Sequence, residues 1–163
     1  MKTLCLVFCL LLAPFLLAAE TVMVSVGEQG LAETDAGYRF CLSAIESGVM
    51  DIFFDAGHVI FNDEEFRRSE DRYRTVRVAR EGGASKVLFV DCIYAADADR
   101  DKKTEDGKAV SLPQKIILSY VHVTDFTVVR TKELVPSAAD AEKYPFIENY
   151  YAVLGRSAAK SIL

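Results

Sequence analysis

The segment Lys86 to Tyr94 constrains the fold more than any other part of the chain. It reads Lys-Val-Leu-Phe-Val-Asp-Cys-Ile-Tyr, with apolar residues at nearly every position rather than at every second one. A strand of this kind is too continuously apolar to leave one face of its sheet in water. We therefore predict that residues 86–94 form the central strand of a sheet that is covered by helices.

Four further segments have the pattern of strands. Thr21 to Val26 alternates and is rich in β-branched residues, and His58 to Phe61 is a short apolar run. Gln114 to Val123 alternates as well. Residues Thr124 to Thr127 then turn the chain into a last predicted strand, Val128 to Leu134.

Two long segments have the periodicity of amphipathic helices. The first runs from a cap at Asp35 to a stop at Gly57, and the second runs from Ile147 to Ile162. Their apolar residues recur at spacings of three and four. These rows are Tyr38, Leu42, Ile45, Val49, Ile52, Phe53 and Ala56 in the first helix, and Ile147, Tyr151, Leu154, Ala158 and Ile162 in the second. Each row is expected to face the core.

The charged region between residues 62 and 83 predicts two shorter helices. Asp63 can cap the first of them, with acidic residues in its first turn. The second is predicted from Asp71 to Glu81, where Gly82-Gly83 ends it. Its inner row is predicted to be Tyr73, Val76 and Ala79 or Arg80.

The order of these elements is β-α-β-α-β-β-β-α, which indicates the α/β (α+β) class. Strand-helix-strand units favour parallel neighbours, whereas the region from Ile93 to Leu134 resembles an antiparallel meander. The polar residues 95–113 are predicted to form a long hairpin loop within it. We expect one domain, residues 20–163, with a mixed sheet covered by two or three helices.

Residues 1–19 have the features of a cleavable signal peptide. Lys2 supplies a positive start, Leu4 to Leu17 is an unbroken apolar stretch, and Ala18-Ala19 offers small residues before Glu20. The stretch is shorter than the roughly 18 to 20 residues of a spanning helix. We therefore predict export to the periplasm or cell envelope and a mature chain that does not span the membrane.

The charge of the chain argues against nucleic acid as a partner. The net charge is −5, and removal of Lys2 with the signal peptide makes it −6. Binding to a phosphate backbone depends on clustered Lys and Arg that replace counterions. An acidic chain without a basic stripe is poorly suited to that task.

Two cysteines, Cys41 and Cys92, remain after removal of the signal peptide. Export would place them in a compartment that permits disulfides. A bridge requires Cα atoms within about 7 Å, which a sequence cannot reveal. Both residues lie in apolar runs, where cysteine also packs as a small hydrophobic side chain. A disulfide and two buried thiols therefore both stay open.

The residues needed for enzymatic chemistry are not grouped in any recognisable motif. The mature chain has two histidines, His58 and His122, in separate elements, and it has no Gly-x-Ser-x-Gly elbow. The histidines and cysteines also lack the close spacing of zinc sites. We predict no catalytic residues, no metal and no cofactor, and hence a protein that is not an enzyme.

A calcium site in the polar loop is also disfavoured. Asp97, Asp99 and Asp101 alternate as at the start of a helix-loop-helix calcium motif. That motif requires Gly at its sixth position and Glu at its twelfth, where this chain has Lys102 and Lys108. A solvated hairpin tip is the better interpretation, and the alternatives are a weak calcium site and a charged contact patch.

Three features together resemble a group of bacterial envelope domains. They are a helix that ends in Phe53-Phe54-Asp55-Ala56-Gly57, the sequence Ala79 to Ala84 leading into Lys86 to Val90, and a hairpin of Leu118 to Asp125 and Val128 to Glu133. The pattern is similar to the small α/β domain of the penicillin-binding-protein activator lipoproteins, the curli secretion lipoprotein and the amino-terminal domain of the Tol-system propeller protein. In the hairpin turn, this chain has Asp125-Phe126-Thr127 in place of the usual glycine. The resemblance implies a domain that binds or assembles with other envelope proteins.

Three segments are candidate contact surfaces. The first is the charged segment 62–74, the second is the loop 95–113 and the third is the aromatic cluster at 144–151. Their candidate residues are Arg67, Arg68, Arg72 and Arg74, then Asp99 and Asp101, then Tyr144, Phe146 and Tyr150. Arg and aromatic residues are enriched at interface centres. A solvated charged face and packing against the sheet are the structural alternatives for these residues.

The sequence thus favours a non-catalytic envelope protein that acts as an interaction or assembly module. Its expected partners are one or more envelope proteins, and a homo-oligomer stays open. The alternative is a periplasmic domain that binds a small ligand, which would require a concave pocket with convergent polar groups.

Overall fold

The computed structural model describes residues 19–31, 36–62, 67–68, 72–96 and 99–163. The predicted signal peptide, the predicted cap at Asp35 and the acidic residues Asp63 and Asp97 lie outside these ranges. Of Arg67 and Arg68, only the backbone is described.

The described chain contains eight strands and four helices. The strands are β1 (Thr21–Gln29), β2 (Val59–Asn62), β3 (Arg67–Arg68), β4 (Lys86–Ile93), β5 (Lys102–Lys103), β6 (Ala109–Val110), β7 (Lys115–His122) and β8 (Val128–Leu134). The helices are α1 (Ala36–Asp55), α2 (Arg72–Glu81), α3 (Ala138–Ala141) and α4 (Ile147–Ile162). The predicted order of the main elements and the α/β class are confirmed.

The main sheet is mixed, as predicted, and β4 is its central strand. The strand order is β2-β1-β4-β7-β8, and the short β3 also pairs with β1. Strand β1 runs parallel to β2 and β4, with Val22 opposite Lys86 and Gln29 opposite Ile93. The pairs β4–β7 and β7–β8 are antiparallel. The two crossover units therefore supply the parallel half of the sheet and the meander supplies the other half.

Each face of the sheet carries its own apolar cluster. On one face, α1 and α4 cover side chains such as Val24, Leu88 and Leu118, all fully buried. On the other face, Val76 and Ala79 of α2 cover a smaller cluster; its sheet residues are Met23, Val87, Phe89, Val121 and Val123. Burial on both faces is what the apolar sequence of β4 requires.

Helices α1 and α4 cross in direct backbone contact at two glycines. A Cβ atom on Gly48 would lie 2.2 Å from the carbonyl oxygen of Ala152, and one on Gly155 would lie 2.2 Å from that of Ile45. Real Cβ atoms do not approach a backbone oxygen so closely, so each position accepts only glycine at this spacing of the helices. The crossing holds the α1–α4 layer tightly together.

The predicted phase of α2 is wrong. Tyr73 was assigned to the inner row, but it is 81% exposed, whereas Thr75, Val76 and Ala79 are buried. The helix begins at Arg72, and its inward row starts at Thr75 instead of Tyr73. Tyr73 consequently projects into solvent.

Other predictions in the connecting segments also need correction. The short helix predicted after Asp63 is not formed at Arg67–Arg68, which pair as β3 with Gly27 and Glu28 of β1. The loop 95–113 contains the two-stranded ribbon β5–β6, and the segment before α4 contains α3. Ala56, predicted to face the core, lies beyond the end of α1 and is exposed. Short elements of this kind depend on contacts with distant residues and have little periodicity of their own.

Candidate interaction surface

The arginines of the charged segment have different roles in the structure. Arg72 donates to the carboxylate of Asp91 at 2.6 Å, and its guanidinium lies 4.9 Å from the centre of the Phe89 ring. Asp91 is 3% exposed, so Arg72 neutralises a buried charge on the α2 side of the sheet. Arg74, in contrast, is exposed on α2. The structure therefore separates Arg72, which stabilises the fold, from Arg74, which faces solvent.

The loop residues form local contacts. Asp101 pairs with Lys102 at 2.9 Å, and Asp99 is exposed. Arg100 lies over the ring of Tyr38 at 5.3 Å, which fastens this part of the loop to α1. Exposed ion pairs contribute little to stability, typically under about 1 kcal/mol. Asp99 and Asp101 remain available to solvent at the rim of the domain.

The aromatic cluster at 144–150 mainly packs beneath α3. Tyr150 is 4% exposed, and its hydroxyl oxygen accepts a hydrogen bond from the Ser137 amide at 2.8 Å. The ring of Tyr144 lies 5.6 Å from that of Tyr150. Phe146, just before α4, is 38% exposed. Two of the three predicted contact residues thus hold α3 and its flanking turns against α4.

A buried tyrosine network attaches the 95–113 loop to the core. The hydroxyl of Tyr151 donates to the carbonyl oxygen of Ser111 at 2.9 Å. The hydroxyl oxygen of Tyr94 lies 3.3 Å from that of Tyr151. Tyr38 Oη accepts from the Ser111 amide at 3.1 Å. Burial raises the pKa of both Tyr94 and Tyr151, so these hydroxyls keep their protons as donors.

Cys41 and Cys92 line the same buried region. Both residues are thiols in the structure and both are fully buried in the α1–α4 cluster. Packing as small apolar side chains accounts for both residues in the structure, and the disulfide considered from the sequence stays a prediction. Burial of this kind makes a thiol unreactive.

A polar cluster surrounds Glu20, next to the start of β1. Its carboxylate accepts hydrogen bonds from Lys86 Nζ at 2.5 Å and from the Tyr120 hydroxyl at 3.0 Å. Burial acts to raise the pKa of Glu20, but these two hydrogen bonds outweigh it and the pKa lies below its ordinary value. Burial and the nearby Glu20 raise the pKa of Tyr120. At neutral pH, Glu20 is ionised and Tyr120 is protonated, so this pair is not poised for proton transfer.

The Glu20 cluster predicts a loss of stability in acid. A carboxylate with a lowered pKa stabilises the fold above its unfolded pKa of about 4.3, and this contribution disappears as the pH falls through the folded value. Because the Glu20 side chain is 33% exposed, we expect the loss to be under about 1 kcal/mol. Urea unfolding at several pH values between about 6 and 3 should show a shallower slope for Glu20→Gln than for the wild type. The exposed Glu133→Gln serves as control, and identical slopes for both variants would contradict the prediction.

The most prominent surface feature is an aromatic pair beside arginines. The rings of Tyr73 on α2 and Phe126 in the β7–β8 turn are stacked, with centroids 5.1 Å apart and planes 20° from parallel. Arg74 and Arg77 of α2 are exposed nearby on the same helix. We call Tyr73, Arg74, Arg77 and Phe126 the aromatic–arginine surface.

Phe126 is held in an unusual backbone conformation. Its φ is +60°, in the left-handed region that a bulky side chain rarely adopts. The Asp125 carboxylate accepts a hydrogen bond from the Thr127 amide at 3.0 Å, which closes the turn around it. The chain therefore places a large ring where the backbone would favour glycine.

No protein-family model and no curated protein matches this chain. Solved structures do match its fold. They include the LpoB C-terminal domain from Escherichia coli, with 10% identity over 73% of this chain and 83% of that chain and a TM-score of 0.44. Lipoprotein GNA1162 from Neisseria meningitidis has 9% identity over 85% and 98% of the two chains and a TM-score of 0.46. The LpoB C-terminal domain from Salmonella enterica has 14% identity over 78% and 93% and a TM-score of 0.39.

The chain resembles the LpoB domain in fold. The order of elements and the position of the turns predicted a resemblance of this kind. At these identities the similarity concerns the fold alone, and the role of each surface depends on the residues of this chain.

A groove lies between α2 and the β7–β8 turn, beneath the aromatic pair. Its volume is about 440 Å³. It is lined by Tyr73, Val76, Arg77, Arg80, Val123, Thr124, Asp125 and Phe126. Arg80 donates to the carbonyl oxygen of Val123 at 2.8 Å and so fixes the turn to the helix. The buried side chains of Val76 and Val123 make part of the lining apolar, and arginine, aromatic and Asp125 side chains line the rest.

Sequence reasoning missed this site for a specific reason. Tyr73 was placed in the inner row of α2, and Phe126 was noted only as a departure from glycine. The two residues are far apart in sequence, and their stacking depends on how α2 packs across β4 and β7. The sequence offered one signal for this site. It has a bulky residue, Phe126, at a turn position that favours glycine, and it also has the strongly basic segment that forms α2.

Replacement of Phe126 should separate its backbone cost from the contribution of its ring. Phe126→Ala and Phe126→Gly both remove the stacking with Tyr73, but only glycine adopts φ +60° without strain. We expect Phe126→Gly to be more stable than Phe126→Ala by about 1 kcal/mol. Denaturant unfolding of the two variants measures the difference. Equal stabilities would show that the turn relaxes out of the left-handed region once the ring is removed.

Proposed function

We propose that this chain is an exported, non-catalytic accessory module of the cell envelope that acts by binding another protein. The observation that carries the proposal is the aromatic–arginine surface. Tyr73 is 81% exposed and is supported by a phenylalanine held in a left-handed conformation. Strained residues persist where the surrounding structure holds them in place, and they cluster at functional sites. Exposed aromatic and arginine side chains are the residue types that dominate binding energies at protein interfaces.

Export is proposed from the character of residues 1–19. Among the described residues that follow, no helix combines the length and apolar composition that a membrane crossing requires. Intact-mass spectrometry of the chain purified from an envelope fraction tests this part. A mass that begins at Glu20 supports export with cleavage, and a full-length mass in the cytosolic fraction contradicts it.

Photo-crosslinking in cells tests the binding role. A photoreactive phenylalanine analogue is placed at Tyr73, at Phe146 and at Phe54, which is 68% exposed on α1, across the sheet from α2. We expect position 73 to capture one reproducible envelope protein and position 54 to capture none. Capture should decrease when Arg77→Gln is added. Absence of capture at position 73, under conditions that trap a known envelope complex, would overturn the proposed role of this surface.

Small-ligand binding is the alternative, and the groove beside Tyr73 is where it would occur. Its polar groups are partly engaged within the protein, because Arg80 donates to Val123 and the Asp125 carboxylate accepts from Thr127. A groove with apolar residues in its lining and two of its polar groups already engaged suits a protruding side chain of a partner better than a polar metabolite.

A further inference from the structure

The groove and helix α2 combine positive charge with an apolar recess, in a chain whose net charge is negative. Helix α2 carries Arg72, Arg74, Arg77 and Arg80 against the single acid Glu81. The whole chain has a net charge of −5. Arg72 and Arg80 are engaged with Asp91 and Val123, while Arg77 is exposed at the wall of the groove. A local field of this sign selects for negative charge in whatever binds here.

We infer that the aromatic–arginine surface binds an acidic polypeptide segment that inserts an aromatic or large aliphatic side chain into the groove. This inference rests on the proposed function and specifies the chemistry of the partner. The carboxylates of the segment pair with Arg77. Its apolar side chain lies on Val76 and Val123, beneath the stacked rings of Tyr73 and Phe126.

Two acidic residues beside the aromatic–arginine surface, Asp125 and Glu81, orient the bound segment. Asp125 lines the groove at the turn, opposite the helix, and its hydrogen bond from Thr127 lowers its pKa, so it is ionised at neutral pH. Glu81 lies at the C-terminal end of α2. Negative charges of the partner are therefore repelled from the turn and from the helix end. They are directed to Arg77 on the exposed side of α2.

The same arrangement disfavours a compact anion such as phosphate or a lipid headgroup. The guanidinium of Arg80 is directed at the carbonyl oxygens of Val123 and Thr124, at 2.8 and 3.5 Å. Asp125 stands on the opposite wall. A phosphate group in the groove would meet that carboxylate and the apolar part of the lining. An extended segment can instead place its carboxylates beside Arg77 and its apolar group in the groove.

A direct binding experiment uses synthetic peptides as probes. Fluorescence anisotropy is measured with three labelled peptides of equal length, built from repeats of Glu-Glu-Phe-Gly, Gln-Gln-Phe-Gly and Glu-Glu-Ala-Gly. We expect the first peptide to bind about ten-fold more tightly than either of the others, because it alone supplies both charge and ring. Its affinity should weaken as salt is raised, since exposed charge pairs are screened.

Matched variants locate the binding. Arg77→Gln and Tyr73→Ala should each weaken the Glu-Glu-Phe-Gly peptide by about five- to ten-fold. Lys160→Gln on α4 and Phe54→Ala on α1 remove an exposed cation and an exposed ring elsewhere, and they should leave binding unchanged. Equal binding of the glutamate and glutamine peptides would overturn the inference. Equal losses in the test and control variants would do the same.

Two further measurements distinguish other occupants. Binding of the chain to vesicles of phosphatidylglycerol in phosphatidylcholine that depends on Tyr73 and Arg77, without peptide binding, would replace the inference with a lipid surface. A concentration-dependent dimer in sedimentation that Arg77→Glu abolishes would identify a second copy as the occupant.

The proposed function can fail independently of this inference. If position 73 captures an envelope protein whose crosslinked peptide carries no excess of Asp and Glu, the function stands and the inference fails. If the peptides bind as expected but no protein is captured in cells, the surface chemistry stands and the function fails.

Discussion

Replacing Gly155 with alanine is expected to lower the free energy of unfolding by about 3 kcal/mol. Alanine is ordinarily the better helix residue, and intrinsic propensity alone predicts a gain of about 1 kcal/mol. Here the new Cβ would lie 2.2 Å from the carbonyl oxygen of Ile45, and that oxygen belongs to the backbone of α1. The helices must separate to accommodate it. Separation loosens the α1–α4 packing on one face of the sheet, and this loss exceeds the gain in propensity.

Gly48→Ala provides an independent test of the same contact from the other helix. Its Cβ would meet the carbonyl oxygen of Ala152 at 2.2 Å, so a similar loss is expected. Ser157→Ala, an exposed substitution on α4, is the control and should be neutral or slightly stabilising. Urea unfolding followed by circular dichroism measures all three variants. Stabilisation by Gly155→Ala would show that the two helices are not in backbone contact.

Replacing Tyr151 with alanine is expected to cost about 3 to 5 kcal/mol. Tyr151 is fully buried between α4 and the sheet, and its ring is among the largest side chains of the core. Its hydroxyl also donates to Ser111 and lies within hydrogen-bonding distance of Tyr94. The variant leaves a cavity and removes the attachment of the 95–113 loop at the same time.

Tyr151→Phe separates these two contributions. The ring remains, but the Ser111 carbonyl loses its donor and the Tyr94 hydroxyl loses its partner in a buried environment. We expect a cost of about 1 to 3 kcal/mol. Hydrogen exchange should show faster exchange at the β5–β6 ribbon in Tyr151→Phe, while the β4 amides remain protected. A wild-type exchange pattern in the ribbon would show that the hydroxyl does not hold the loop.

The elements that were predicted most accurately are those that can be recognised from their own residues, without reference to distant parts of the chain. The apolar run of β4 could be assigned to the centre of the sheet, because few other positions accept a strand without a wet face. Strand β8 (Val128–Leu134) and helix α4 (Ile147–Ile162) were predicted with their observed ends. Each is bounded by turn residues, and α4 also has a clear helical period.

The remaining features depend on tertiary contacts that no local pattern contains. Gly48 and Gly155 have no turn to explain them, and their role is visible only when two helices cross. The phase of α2 was misjudged because Tyr73 and Val76 are three residues apart and fit an apolar row equally well. Val76 packs into the apolar cluster on the α2 face of the sheet, whereas Tyr73 does not. This packing determines which row of α2 faces inward.

The candidate site was predicted in part for the same reason. The charged segment was identified as a contact surface, and Arg74 is exposed as that hypothesis requires. Arg72 was grouped with it, but it is held by Asp91, a residue on β4 that only the folded chain brings near. The aromatic part of the surface needed both α2 and the β7–β8 turn in place.

The register of β1 also determines when this chain can fold as it is made. Strand β1 forms its longest pairing with β4, with Val22 opposite Lys86 and Gln29 opposite Ile93. A chain that emerges with its N-terminus first must keep β1 without its main partner until β4 has appeared. Pairings between distant segments form slowly and leave apolar strands exposed meanwhile. Of the strands in the main sheet, β1 therefore waits longest during synthesis for its main partner.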